Sequence, residues 1–545
     1  MKTIQSILIA TALSACVFPM QAQAQEQAKD TTVNRTVVVE QEYAPDINDA
    51  TKINVVPQVT PPTVSKKAVE YDARMVPAAQ IPATTMQAYT GQETQPKAAP
   101  GYVRLGYGNY GNLDAQANYL FSLSSRDRLN LKFGMDGMNG SLDLPGENGE
   151  WDAFYYRTRA AIDYLHAFNK VDLNVAGRFG LSNFNLLPAL PGNKQKFTSG
   201  DFHVGVRSTD EEMPFRFSAE TNLMLYQRQH DLPYDDLQET LIRTKAEVTG
   251  DISDGQSISV ALAMDNVLYQ HTDFENYTSL DMNPYYLLQN DDWTLRLGAH
   301  VDLAFGFGKT FRAAPDVYAQ YNFADSYLLY VQAKGGKQQN DFRRLETICP
   351  YGQLASQADA TYEQLNAALG FKASPVTGLW MNIYGGYQNL KNDLVQGFGD
   401  DALLLYGQNT SNVYFGAEVS YSYKDIFAIA ASGTYRNWDT KKDETNPYAE
   451  AALLFKPALE ADLHVDIRPV SPFLLKLGYQ HIARQEVEGQ TIDAVNNLYA
   501  GLEYKLFKGI SIYARANNLL NQKYQYYLGY PAEGINFVGG VSFCF

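Results

Sequence analysis

The side chains in this sequence best suited to hold a metal or pass a proton are seven histidines: His166, His203, His230, His271, His300, His464 and His481. They are scattered along the chain, with none of the short spacings that bring two imidazoles onto one ion. No Ser-His-Asp grouping can be assembled from them without inventing contacts. The acidic pairs Asp235-Asp236, Asp291-Asp292 and Asp400-Asp401 have oxygen ligands in plenty but not the spacing of a calcium loop, and they read as solvated loops and turns. The expectation is therefore no enzyme, no cofactor and no resident metal. A second set is more regular. Lys132, Arg157, Arg159, Arg178, Lys476, Glu503, Lys505 and Arg515 each fall on the polar side of an alternating stretch. Fixed charges held in that way can solvate a wall by pairing with one another, or line the path of a solute as charged rings do in pores.

The stretches that carry these charges are β-strands with period two. Leu129, Leu131, Phe133 and Met135 alternate with Asn130, Lys132 and Gly134. Val171, Leu173, Val175 and Phe179 alternate with Asp172, Asn174 and Arg178. Near the end, Leu498, Ala500, Leu502, Tyr504 and Leu506 alternate with Tyr499, Gly501, Glu503 and Lys505. A strand with Arg157, Arg159 and Asp163 on one side and Tyr156, Ile162 and Tyr164 on the other suits lipid outside and water inside. Counted from Gly101, about 22 such strands follow, taking Ala451–Pro469 as one long strand. The connections alternate between short ones, such as Ala167–Lys170 and Phe507–Gly509, and long ones, such as Asp136–Trp151, Gly336–Ala358 and Gln388–Ser411. Short turns on one side and long loops on the other are the pattern of bacterial outer-membrane barrels. The fold class expected is all-β, a transmembrane antiparallel β-barrel over 101–545.

Composition agrees. The 545 residues include 38 Tyr and 27 Phe, raising aromatics to 13%, while charged residues are only 19%. The net charge of −16 argues against nucleic acid as a partner. The mean hydropathy of −0.31 would suit a soluble protein, but a barrel turns only every second residue of each strand to lipid. Beyond the N-terminus no apolar run is long enough for a transmembrane helix.

Residues 1–24 read as a secretory signal: Lys2, an apolar stretch from Ile4 to Met20, and small residues at Ala22 and Ala24. Leu13-Ser14-Ala15-Cys16 also fits a lipoprotein box, but Val17-Phe18-Pro19-Met20 continues the apolar core. Residues 25–100, punctuated by Pro45, Pro57, Pro61, Pro62, Pro77, Pro82, Pro96 and Pro100, read as an extended periplasmic or lumenal segment. Cys349 and Cys544 fall at opposite ends of the strand pattern, too far apart to pair.

The run Asn517-Asn518-Leu519-Leu520-Asn521-Gln522-Lys523-Tyr524, then Gly529-Tyr530-Pro531-Ala532-Glu533-Gly534 and a final strand, resembles the C-terminal signature of TonB-dependent receptors. Ile535 stands where that family usually has Arg. The N-terminal segment is similar in style to outer-membrane barrels of Bacteroidota. The resemblance implies a Gram-negative outer-membrane location and solute transport. It also implies a plug domain, for which 25–100 is about half the length required and too broken by proline. A plug-less barrel about 40 Å across needs something to fill it: inward-folded loops such as Gly336–Ala358 or Gln388–Ser411, the 25–100 segment, or a separate periplasmic or lipoprotein partner. The alternative function is a non-transporting barrel that scaffolds an outer-membrane complex. Phe537, Val541, Phe543 and Phe545 alternate on the last strand, facing membrane lipid, and resemble the signal that the barrel-assembly machinery recognises.

Overall fold

The computed structural model describes residues 99–545, apart from 145–148, 189–193, 211, 231–235, 325, 355, 400–402 and 442–448. The expected signal sequence, and all of 25–100 but its last two residues, lie outside the described residues.

Strand follows strand from Gly101–Gly108 to Asn536–Cys544, each paired antiparallel with the next. The last strand returns to the first, with Tyr102 opposite Cys544 and Gly108 opposite Val538. The Gly101 amide donates to the Phe545 carbonyl at 2.9 Å, and the Phe545 amide donates back at 3.0 Å. Twenty-two strands thus close a barrel with no free edge. A two-residue strand, Gln353–Leu354, joins the same sheet from inside, pairing parallel with Leu404 and Leu405.

Alternation decides which side chain meets which solvent. Leu105, Phe202, Leu369 and Phe415 are all more than half exposed, on the outside. Arg104 and Asp114, on the inner face of neighbouring strands, are 3% and 5% exposed. Apolar residues left open on the outside of a closed barrel need a lipid solvent, and this is an outer-membrane barrel. Among the described residues no helix is long and apolar enough to cross a membrane. The chain crosses with strands.

The seam where the barrel closes is built for contact across four strands. Tyr513, Gly540, Gly106 and Asp114 stand side by side in one row of the sheet. The two glycines leave the wall flat, so the Tyr513 ring lies across it and its hydroxyl donates to Asp114 Oδ2 at 2.8 Å. A Cβ on Gly106 would run into that hydroxyl. Arg104 Nε also reaches Asp114, at 3.0 Å, and Arg515 adds a further ion pair to the same carboxylate.

Three stretches differ from the sequence expectation. Asp136–Trp151 is not a loop: the strands Asp127–Asp143 and Glu150–Ala167 continue through it as a hairpin. Gln388–Ser411 likewise extends two strands, Leu379–Phe398 and Leu403–Tyr423, with a register shift between Leu390 and Asp393. In both, Gly, Asn and Asp suggested loop, but pairing beyond the membrane still satisfies the backbone. The strand expected over Ala451–Pro469 starts at Pro457, and Ala449–Leu453 is a 3-10 turn. Proline lacks an amide donor and is tolerated at a strand's first residue, which fixes the boundary.

Candidate functional site: a sealed mouth above a charged lumen

The loop that leaves the strand Tyr327–Gln338 turns inward and forms the helix Phe342–Ile348. Asp341 caps it, its carboxylate accepting from the Arg344 amide at 2.9 Å. The spacing Phe342, Leu345, Cys349 puts three apolar side chains on one face, each at most 1% exposed. They pack with Trp151, Phe184, Phe197, Leu237, Leu394 and Leu405 into one apolar cluster at the long-loop end of the lumen. Tyr351 stacks on Tyr530 with ring centroids 3.7 Å apart, tying the same cluster to the last long loop. Burial of each large apolar side chain contributes about 2 kcal/mol, so the helix rests closed.

Polar contacts fix the helix to the wall. Arg343 holds Asp201 in a two-pronged pair at 2.6 and 2.5 Å. Glu346 accepts from Ser182 Oγ at 2.5 Å and from the Tyr226 hydroxyl. The Phe342 amide donates to Glu239 Oε1 at 3.1 Å, and Arg228 Nη2 donates to the Gly352 carbonyl at 2.7 Å. Burial would lower the Arg343 guanidinium, but Asp201 more than offsets it and the net direction is upward. Burial raises the Asp341 carboxyl, and pushes the Cys349 thiol up to about 12.

The charges singled out in the sequence divide into two sectors. Lys132, Arg157, Arg159 and Arg178 lie on three adjacent strands. Arg157 pairs with Asp136 at 2.7 Å, and Arg159 approaches Glu346 of the helix at 3.5 Å. Lys132 and Arg178 have no ion-pair partner among the described residues. Lys476, Glu503, Lys505 and Arg515 lie on the strands Phe473–Arg484, Val495–Phe507 and Ile510–Asn517. Lys476 is 4.0 Å from Asp466, Arg515 belongs to the closing seam, and Lys505 stands opposite Ser511. Glu503 stands opposite Tyr513. The structure does not bring the two sectors into one site.

Asp201, Asp265, Asp316 and Arg228 were not singled out in the sequence. Their partners stand on other strands or on the inward loop: Arg343 for Asp201, Arg243 and Lys337 for Asp265, Arg296 for Asp316, and the Gly352 carbonyl for Arg228. The helix did carry a local signal, an Asp cap before an i, i+3, i+7 apolar spacing. Further along the wall a cavity of about 600 Å³ is lined by Asn174, His203, Arg207, Glu220, Lys245 and Asp281 among others. Among the described residues no three His, Cys, Asp or Glu side chains are grouped to hold a metal. Cys349 is a buried thiol and Cys544 an exposed one, and they are not bonded to each other.

Solved structures share this architecture. The FrpB iron transporter of Neisseria meningitidis superposes with a TM-score of 0.66 at 10% identity, covering 82% of this chain and 81% of that one. The ferric-catecholate import receptor Fiu of E. coli K12 gives 0.60 at 10% identity over 83% and 82%. The copper transporter OprC gives 0.62 at 12% identity over 82% and 80%. The barrel fold is shared with these proteins. No family model and no curated protein sequence matches the chain. At 10–12% identity the likeness is one of architecture: the barrel is shared, and the residues inside it are this chain's own.

Proposed function

We propose that this chain takes part in moving a solute across the outer membrane, as a barrel resembling TonB-dependent receptors and lacking their plug. The observation that carries the reading is how the lumen is closed. Among the described residues its inner wall carries charged and polar side chains, and the long-loop end is stopped by an inward-folded loop packed into an apolar cluster. Iron and copper transporters built on the same barrel support the same direction. In this reading the helix Phe342–Ile348 is the stopper that a solute or a separate periplasmic or lipoprotein partner must displace.

Bilayer conductance tests it. The purified full-length protein is compared with a variant in which residues 341–352 are replaced by a Gly/Ser linker. The wild type should be closed, and the variant should open large, steady steps and pass small sugars into liposomes. A variant that stays closed would count against a transport path through this lumen. The buried fit of Phe342, Leu345 and Cys349 also favours a second reading, a closed barrel that scaffolds a complex. A stoichiometric partner from mild detergent, together with no solute flux in either form, would favour that one.

A further inference from the structure

We propose that Lys132, Arg159 and Arg178 form an anion-binding bay on the lumen wall directly below the seal, and that Glu346 is its built-in occupant. The ligand class is a small solute carrying several carboxylates or phosphates. The proposal rests on the transport reading and names the solute class that the stopper answers to.

The register makes the bay. Lys132, Ala161 and Arg178 stand in one row across three strands. Neighbouring strands are about 4.8 Å apart, so the two cations flank a floor about 10 Å wide. In the adjacent row Arg159 stands between Gly134 and Gly180, with no side chain on either side of it. Nothing lies within 4 Å of where a Cβ on Gly134 would be. On the other side the Gly180 position is taken by the Ser199 hydroxyl, 2.5 Å from its Cβ site, with Arg159 Nη1 at 3.6 Å, so the open side of Arg159 is toward Gly134. Three cations therefore border the open wall at Gly134, and their spacing suits a solute with several carboxylates or phosphates.

Two of the carboxylates nearby are already engaged. Asp136 is held by Arg157 at 2.7 Å, and Asp201, opposite Arg178, is held by Arg343. Asp163 accepts from the neutral amide of Asn174 and keeps its charge, so the three cations face two uncompensated acids, Asp163 and Glu346. The bay keeps a net positive charge. Arg159 is about half exposed, and its sole hydrogen bond among the described residues is a 3.4 Å contact to the Thr158 carbonyl. Its fork is thus free for two-pronged capture of a carboxylate or phosphate. Only Glu346 approaches it, at 3.5 Å, too long for a good hydrogen bond. Glu346 is the one acid that the stopper helix presents to the bay. A solute anion that takes Arg159 competes with that contact, so binding in the bay loosens the stopper.

The test is calorimetric titration of the folded full-length barrel in detergent with citrate. Fast migration on unheated gels confirms folding of each variant. Glu346→Gln, which removes the internal competitor, should bind citrate at least tenfold more tightly than the wild type. Arg159→Gln with Arg178→Gln should lose citrate binding at least tenfold, while Lys476→Gln, in the other sector, should leave it within twofold. Added salt should weaken binding in the wild type. The proposal is overturned if Glu346→Gln does not tighten binding, or if the Arg159/Arg178 variant binds citrate as the wild type does. Binding here is measured without flux. Its failure beside an open, conducting linker variant would leave the transport reading standing, and the reverse result would leave the bay standing.

Discussion

Asp114 at the closing seam gives the sharpest stability prediction. Its carboxylate takes Arg104, Tyr513 and Arg515, and the Arg104 and Asp114 side chains are 4% and 6% exposed. Asp114→Ala leaves the Arg104 guanidinium buried against the wall with its main counter-charge gone. Breaking a buried pair from one side costs about 3–5 kcal/mol. At about 1.4 kcal/mol per factor of ten, that is two to three and a half decades in the folding equilibrium. The comparison variant is Arg157→Ala. That residue also loses a carboxylate at 2.7 Å, but the two side chains are 46% and 52% exposed. An exposed pair is worth under about 1 kcal/mol. Both proteins would be refolded into the same lipid vesicles and unfolded in urea, following the loss of the compact barrel on unheated gels. Asp114→Ala should unfold at clearly lower urea and Arg157→Ala close to wild type. Equal midpoints for the two would refute the reasoning, because burial would then not be what sets the value of these pairs.

Other outcomes follow from the same contacts. Cys349 should resist maleimide at pH 8 while the exposed Cys544 reacts, and Arg343→Ala, which releases the helix from Asp201, should expose Cys349 to labelling. The sign of its pH dependence is set by the raised thiol. The stability that the neutral thiol contributes is complete below its ordinary value of 9.0 and is lost as pH rises from about 9 to about 12. In thermal melts of the refolded barrel, Tyr513→Phe should cost about 1.5–3 kcal/mol, one hydrogen bond to the charged Asp114 carboxylate. Gly106→Val should cost more, because its Cβ enters the space of the Tyr513 hydroxyl. Phe545→Ala should lower the amount of barrel in the outer membrane of expressing cells with little effect on the melting of the refolded protein, since that ring is 60% exposed. An unchanged membrane yield would remove it from any assembly signal.

Much of the barrel could be read from the chain because lipid and water impose opposite demands on successive residues. Lys132 between Leu131 and Phe133 carries that information locally, and so does Arg515 between Ala514 and Ala516. The closing pair of strands was legible for a similar reason, since an apolar strand at Asn536–Cys544 needs a partner and the first strand is the one left open. The site was much less legible. Arg343 and Glu346 matter through Asp201, Ser182 and Tyr226, more than a hundred residues earlier. No local pattern encodes such a contact. Where Gly, Asn and Asp interrupted the alternation, as at Gly137–Gly140 and Asn389–Asn392, the sequence suggested loops. Cross-strand pairing overrode those residue preferences and carried the hairpins on.

The seam also has a consequence in time. Nearly every other contact of the sheet joins strands adjacent in the chain, but Tyr513 and Arg515 meet Asp114 across 399 and 401 residues. A contact with so large a loop to close forms late and lends nothing to the steps before it. Its energy therefore falls almost entirely on the rate of opening rather than the rate of assembly. A half-built barrel has Arg104 and Asp114 but not their last two companions. Only the finished cylinder is slow to come apart.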